Sequence, residues 1–194
     1  MKVIFLDIDG VLNCETAYRN GECKYVDWET PVGTRDHHQS FCSWSKEWLN
    51  KLIRESGAKI VVSSTWRHSG IEFLRKVWEL EEMEGEIIGI TPSFRGDIEG
   101  YTIPRGCEID YYLKNVMEFR HINWSKERQE EYVTKSGVEN YIIIDDDSDM
   151  LYGQKNHFVH VLPPPRHRMG FTEEHYKLGL EKLNKTIIEL NNII

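Results

Sequence analysis

Two aspartates stand one residue apart in Asp7-Ile8-Asp9-Gly10, directly after the apolar run 3–6 (VIFL). Carboxylates this close repel each other, and a bound divalent cation relieves the repulsion. Gly10 permits the sharp turn that lifts the backbone away from a strand. A second acidic group, Asp145, Asp146, Asp147 and Asp149, follows the run 141–144 (YIII). Carboxylate, carbonyl and water oxygens suit magnesium, and a substrate phosphate can complete the coordination. Ser63 and Ser64 follow a third run, 58–62 (AKIVV), and offer hydroxyls and backbone N–H groups to phosphate oxygens. Arg105 can balance charge on a transferring phosphoryl group. Taken together, these residue types predict phosphoryl chemistry at a Mg2+ site.

The elements that must position these groups are legible in the same runs. Unbroken apolar runs rich in β-branched residues suit parallel strands covered on both faces. Residues 157–162 and 86–90 read as further strands. Helical patterns fall between them. Ser45 opens one with Trp48, Leu49, Leu52 and Ile53 inward and Gly57 as its stop. Others are expected near 70–83, from Pro104–Arg105 with Ile109, Leu113, Val116 and Met117 inward, from Ser125 to Gly137, and at about 172–192. Alternating strands and helices imply right-handed crossovers and a mostly parallel sheet, with ligands bound beyond the carboxyl ends of the strands. Three of the expected strands end in Asp, Ser and Asp.

Residues 13–44 fit the alternation poorly, with Pro31-Val32-Gly33 as a turn, and read as a small lid-like insert over the site. His37 and His38 are expected as exposed loop residues. Trp28, Trp44 and Tyr25 are expected to pack within the insert and not to form a base-stacking platform. The chain is read as one domain, 1–194. Residues 163–170 (PPPRHRMG) form a stiff basic loop, and Arg166, His167 and Arg168 there are expected in solvent.

The segments DIDGVLN, VVSSTWR, Arg105 to Ile109 (RGCEI) and IIIDDDSDM occur in that order. Over about residues 2–171 the chain resembles the haloacid dehalogenase-like (HAD) phosphohydrolases. It is most similar to the small HAD domains of nucleic-acid repair proteins and to the phosphatase half of polynucleotide kinase–phosphatases. The resemblance implies an α/β, three-layer Rossmann-like fold with a mostly parallel central sheet. It implies that Asp7 is the nucleophile and forms an aspartyl-phosphate, and that Asp9 protonates the leaving oxygen and then activates water. The carboxylates of Asp7 and Asp145 and the carbonyl of Asp9 would hold magnesium, with Asp146 or Asp149 in support. Ser63 would bind phosphoryl oxygens, with Ser64 beside it. Arg105 is the choice for the basic residue, with Arg95 and Lys114 as rivals. Arg67 reads either as a surface charge beside a packed Trp66 or as a contact to a second substrate phosphate.

Composition bounds the partners. A net charge of −8 argues against a broad basic face that coats long nucleic acid, while a local basic patch would serve a nucleotide or a strand end. The expected substrate is therefore a phosphorylated nucleotide or nucleic-acid end. The alternatives are a small-metabolite or free-nucleotide phosphatase and a non-catalytic phosphate-binding module. No apolar run is long enough to span a membrane, and MKVIFLDIDG reads as a buried strand and not as a signal peptide. The expectation is a cytoplasmic protein with no obligate protein partner. The four cysteines are expected reduced. A zinc site from Cys23, His37, His38 and Cys42 lacks any CxxC pair and is not favoured.

Overall fold

The computed structural model describes residues 1–94, 103–117, 137–162, 169–186 and 189–190. In chain order the strands are β1 (Lys2–Leu6), β2 (Tyr25–Glu29), β3 (Arg35–Gln39), β4 (Lys59–Val62), β5 (Ile87–Ile90), β6 (Asn140–Asp145) and β7 (Phe158–His160). The helices are α1 (Glu15–Arg19), α2 (Ser43–Ser56), α3 (Ile71–Leu80), α4 (Arg105–Asn115) and, last, α5 (Glu173–Asn184). Five strands form one parallel sheet in the order β5-β4-β1-β6-β7. Successive side chains of a strand face opposite sides. Ile4, Leu6, Ile60, Val62, Ile142 and Ile144 accordingly join Leu49 and Leu52 of α2, Leu74 and Val77 of α3, and Leu183 of α5 in one core. Val3, Phe5, Val61, Tyr141 and Ile143 join Ile109 and Leu113 of α4 in the other. The result is the three-layer α/β arrangement expected of the apolar runs.

Several boundaries differ from expectation. α2 begins at Ser43, with Cys42 at its cap position, so Ser45 is buried in the first turn instead of opening the helix. Gly57 does end it, at φ 66° in the left-handed region. α4 ends at Asn115, so Val116, which continues the spacing of Ile109 and Leu113, falls at its C-cap and is exposed. α5 ends at Asn184, with Lys185 in an extended conformation, well short of residue 192. The helix expected from Ser125, the rival cation Arg95, and Arg166, His167 and Arg168 lie outside the described residues. No described helix is long and apolar enough to cross a membrane.

The insert is more ordered than a loop. It holds α1 and an antiparallel hairpin, β2 with β3, closed by a turn in which Thr30 N–H donates to the Thr34 carbonyl at 2.7 Å. Alternation along β3 corrects the expectation for the two histidines. His37 points outward, while His38 is buried and lies 2.7 Å from Glu81. Lys46 of α2 reaches the other oxygen of Glu81 at 2.9 Å. Burial alone would raise the Glu81 carboxyl, but His38 and Lys46 together hold it below the ordinary range. This buried cluster ties the hairpin to α2 and to the end of α3. Trp28 adds contacts with His38 and Phe73. Cys14 and Cys42 are buried with their sulfurs 3.0 Å apart and Cys23 beside them, all unbridged. His37 and His38 face opposite sides of β3, so the two histidines do not converge with Cys23 and Cys42 on one point.

Candidate active site

Strand register brings the predicted groups to one line. Leu6 is paired with Val62 and with Ile144, and Val62 with Ile90. The next residues, Asp7, Ser63, Asp145 and Thr91, therefore lie at the same level on the carboxyl edge of the sheet. Three further rungs fix them there. Asp7 N–H donates to the Ile144 carbonyl at 2.9 Å, Ser63 N–H to Leu6 at 2.8 Å, and Thr91 N–H to Val62 at 3.0 Å.

Beyond Asp7 the chain turns sharply. Gly10 has φ 77°, and its N–H donates to the Asn13 carbonyl at 2.8 Å. A Cβ on Gly10 would run into the Asp146 carboxylate. Glycine is thus required there both by the backbone and by the close approach of the second acidic group. The turn leaves the Asp9 side chain exposed, where Trp66 Nε1–H donates to both of its oxygens at 3.0 Å and Thr65 Oγ1 to one at 3.4 Å.

Asp7, Asp145 and Asp146 each place a carboxylate oxygen within 4.8 Å of the others. Asp7 and Asp145 are buried. Burial pushes the Asp7 carboxyl up to about 6, against the opposing pull of Arg105 and a hydrogen bond from Ser64. Asp145 is pushed up further, to about 8, by burial and by the neighbouring Asp7, and burial raises Asp146 as well. Among the described residues, Asp145 Oδ2 accepts no hydrogen bond. Clustered carboxylates that resist ionisation, one of whose oxygens accepts no hydrogen bond, fit a divalent cation held by oxygen donors. Asp147 is exposed, and Asp149 Oδ2 instead accepts the Arg105 backbone N–H at 2.8 Å.

Among the described residues, the cation that meets these carboxylates is Arg105, the first residue of α4. Its Nη1 lies 3.2 Å from Asp7 Oδ1 and its Nε 3.4 Å from Asp145 Oδ2. Gly106 makes this possible: a Cβ there would collide with the backbone at Met150 and Leu151, so only glycine lets α4 start against the loop after β6. Lys114, near the other end of α4, is paired with Asp110 at 2.6 Å.

Arg67 departs from both readings, the surface charge and the contact to a second phosphate. Its guanidinium is buried, donating to Glu108 at 2.7 Å and to Thr91 Oγ1 at 3.1 Å. Thr91 Oγ1–H donates in turn to Ser63 Oγ at 3.3 Å, and the Phe94 N–H donates to Glu108 at 2.9 Å. Removing one member of a buried ion pair strands the other charge, typically at a cost of about 3–5 kcal/mol. Arg67 therefore braces the serine from behind. Thr91 and Glu108 were not singled out from sequence. Thr91 follows β5 as Ser63 follows β4, so the same strand-end logic points to it. Glu108 lies in the quoted Arg-Gly-x-Glu segment.

The parallel sheet and its aligned acidic edge define a HAD-type domain. Residues 3–176 match the family profile of the HAD domain in Swiss Army Knife RNA repair proteins, and the chain belongs to that family. Comparison with curated proteins gives no match.

Proposed function

We propose that this chain is a magnesium-dependent phosphomonoesterase that works through an aspartyl-phosphate on Asp7, on a nucleotide or a nucleic-acid end. The observation that carries the reading is the buried Asp7 carboxylate at the strand end, with Arg105, Asp145 and Asp146 gathered around it. Membership in an RNA-repair HAD family supports the nucleic-acid part.

In this reading the phosphoryl oxygens face Arg105, Ser63 and Ser64. Asp7 attacks phosphorus as the bond to the leaving oxygen breaks, and Asp9 delivers its proton to that oxygen. Asp9, now ionised, takes a proton from water, which attacks the aspartyl-phosphate and frees inorganic phosphate and Asp7. The Trp66 and Thr65 bonds hold the Asp9 carboxylate at the rim, where both transfers would occur. Asp7, Asp145 and Asp146 would hold magnesium together with the Asp9 carbonyl. When bound, the ion supplies the positive charge that lets an anionic phosphate enter an acidic site. Arg67, through Thr91, would position Ser63.

Phosphate release from a panel of phosphomonoesters tests the proposal. With magnesium, a 3′-phosphorylated oligonucleotide and mononucleotides should be turned over faster than sugar phosphates. Tight phosphate binding without turnover of any ester would point instead to a non-catalytic module.

A further inference from the structure

A cavity of about 360 Å3 opens beside Asp9, between the hairpin and the segment Thr65–Ser69. Its walls include Tyr25, His37 and Gln39 from the hairpin and Trp66 and Phe73 from the opposite side. Tyr25 lies directly across from Gln39, and its ring meets that of His37 edge-on at 5.7 Å. The expectation that Tyr25 packs within the insert does not hold: the side chain is 71% exposed. His37 is exposed as well. Large rings held in solvent at the mouth of a cavity gain little for the fold. They do present faces on which a planar group can stack.

Three properties define what fits. Asp9 lines the cavity, so in the phosphatase reading the cavity adjoins the leaving oxygen and offers room for the group beyond it. Its walls combine aromatic faces with the amide of Gln39 and the hydroxyl of Ser69, which suits a planar ring carrying polar edges and hydroxyls. Among the described residues no lysine or arginine lines it, so a second phosphate finds no strong partner there. A sugar bisphosphate is therefore disfavoured, and a nucleoside is favoured.

We propose that this cavity is the leaving-group subsite and that it binds a nucleoside, the base stacked on Tyr25 while the phosphate sits at Asp7. The proposal rests on the phosphatase reading for the direction in which the substrate lies. The subsite itself can be tested apart from chemistry.

Adenosine carries no phosphate and serves as the first probe. In calorimetric titrations Tyr25→Ala should bind adenosine about tenfold or more weakly than the unaltered protein, and Tyr25→Phe, which keeps the ring, should restore most of the loss. The exposed ring can be removed without opening the core. Equal affinities, or no adenosine binding by the unaltered protein at millimolar concentration, would overturn the subsite. The second arm compares adenosine 3′-monophosphate with glycerol phosphate, which has no ring. Tyr25→Ala should lower the preference for the nucleotide about tenfold, chiefly through KM. An unchanged preference counts against the subsite and leaves the phosphatase reading standing. No turnover of either ester or of a 3′-phosphorylated oligonucleotide, with adenosine binding still dependent on Tyr25, would remove the phosphatase reading and keep the subsite.

Discussion

Asp7→Asn should abolish phosphate release, with kcat reduced by roughly a thousandfold or more, while the protein stays folded. The amide is nearly isosteric with the carboxylate but is a poor nucleophile towards phosphorus. Its effect on stability should have the opposite sign to that of an ordinary core lesion. Burial raises the Asp7 carboxyl from 3.8 to about 6 even with Arg105 beside it, so the folded state holds that proton more tightly than the unfolded chain. The contribution of Asp7 to stability is then greatest at low pH and is lost as pH rises through about 4 to 6. In metal-free protein at neutral pH the ionised carboxylate is a net burden, and Asp7→Asn relieves it. Thermal melts should show the variant at least as stable as the unaltered chain. A variant that is inactive because it unfolds would not support the assignment, and one that remains active would refute it.

The second large effect concerns Asp145, fully buried and with an oxygen that accepts no hydrogen bond among the described residues. If this carboxylate helps to hold magnesium, the ion should stabilise the folded protein by mass action. At about a hundredfold excess over Kd that is roughly 2.7 kcal/mol, or about 5–10 °C in Tm for a chain of this size. Asp145→Asn should lose most of that shift and at least about a hundredfold in magnesium-dependent turnover. The same magnesium shift in the variant and the unaltered protein would place the ion elsewhere.

Much of this site could be read from the chain because strand ends are local features. An unbroken run followed by Asp or Ser marks where a covered strand stops, and the runs before Asp7, Ser63 and Asp145 all became neighbouring strands. The residues that choose among rivals depend on long-range approach. Arg105 reaches Asp7 because Gly106 lets α4 abut the loop after β6, and a clash between residues some 45 positions apart leaves no mark in periodicity. Arg67 looked available for a phosphate because Glu108, its buried partner, is 41 residues away. The hairpin was hidden by its own polarity. Tyr25–Glu29 and Arg35–Gln39 carry so many charges that only the inward Val26, Trp28 and His38 betray the two-residue period. The two histidines are adjacent in sequence, and register alone sends one into the core and the other to the rim of the cavity beside Asp9.

The most direct measurement is to stop turnover with acid and map covalent phosphate by peptide mass spectrometry. Borohydride reduction, which converts an acyl phosphate to an alcohol, provides an independent mark of the same residue. Phosphate is expected on Asp7, formed with substrate and absent from Asp7→Asn. Phosphate on another side chain, or continued turnover by Asp7→Asn with no covalent phosphate, would contradict it.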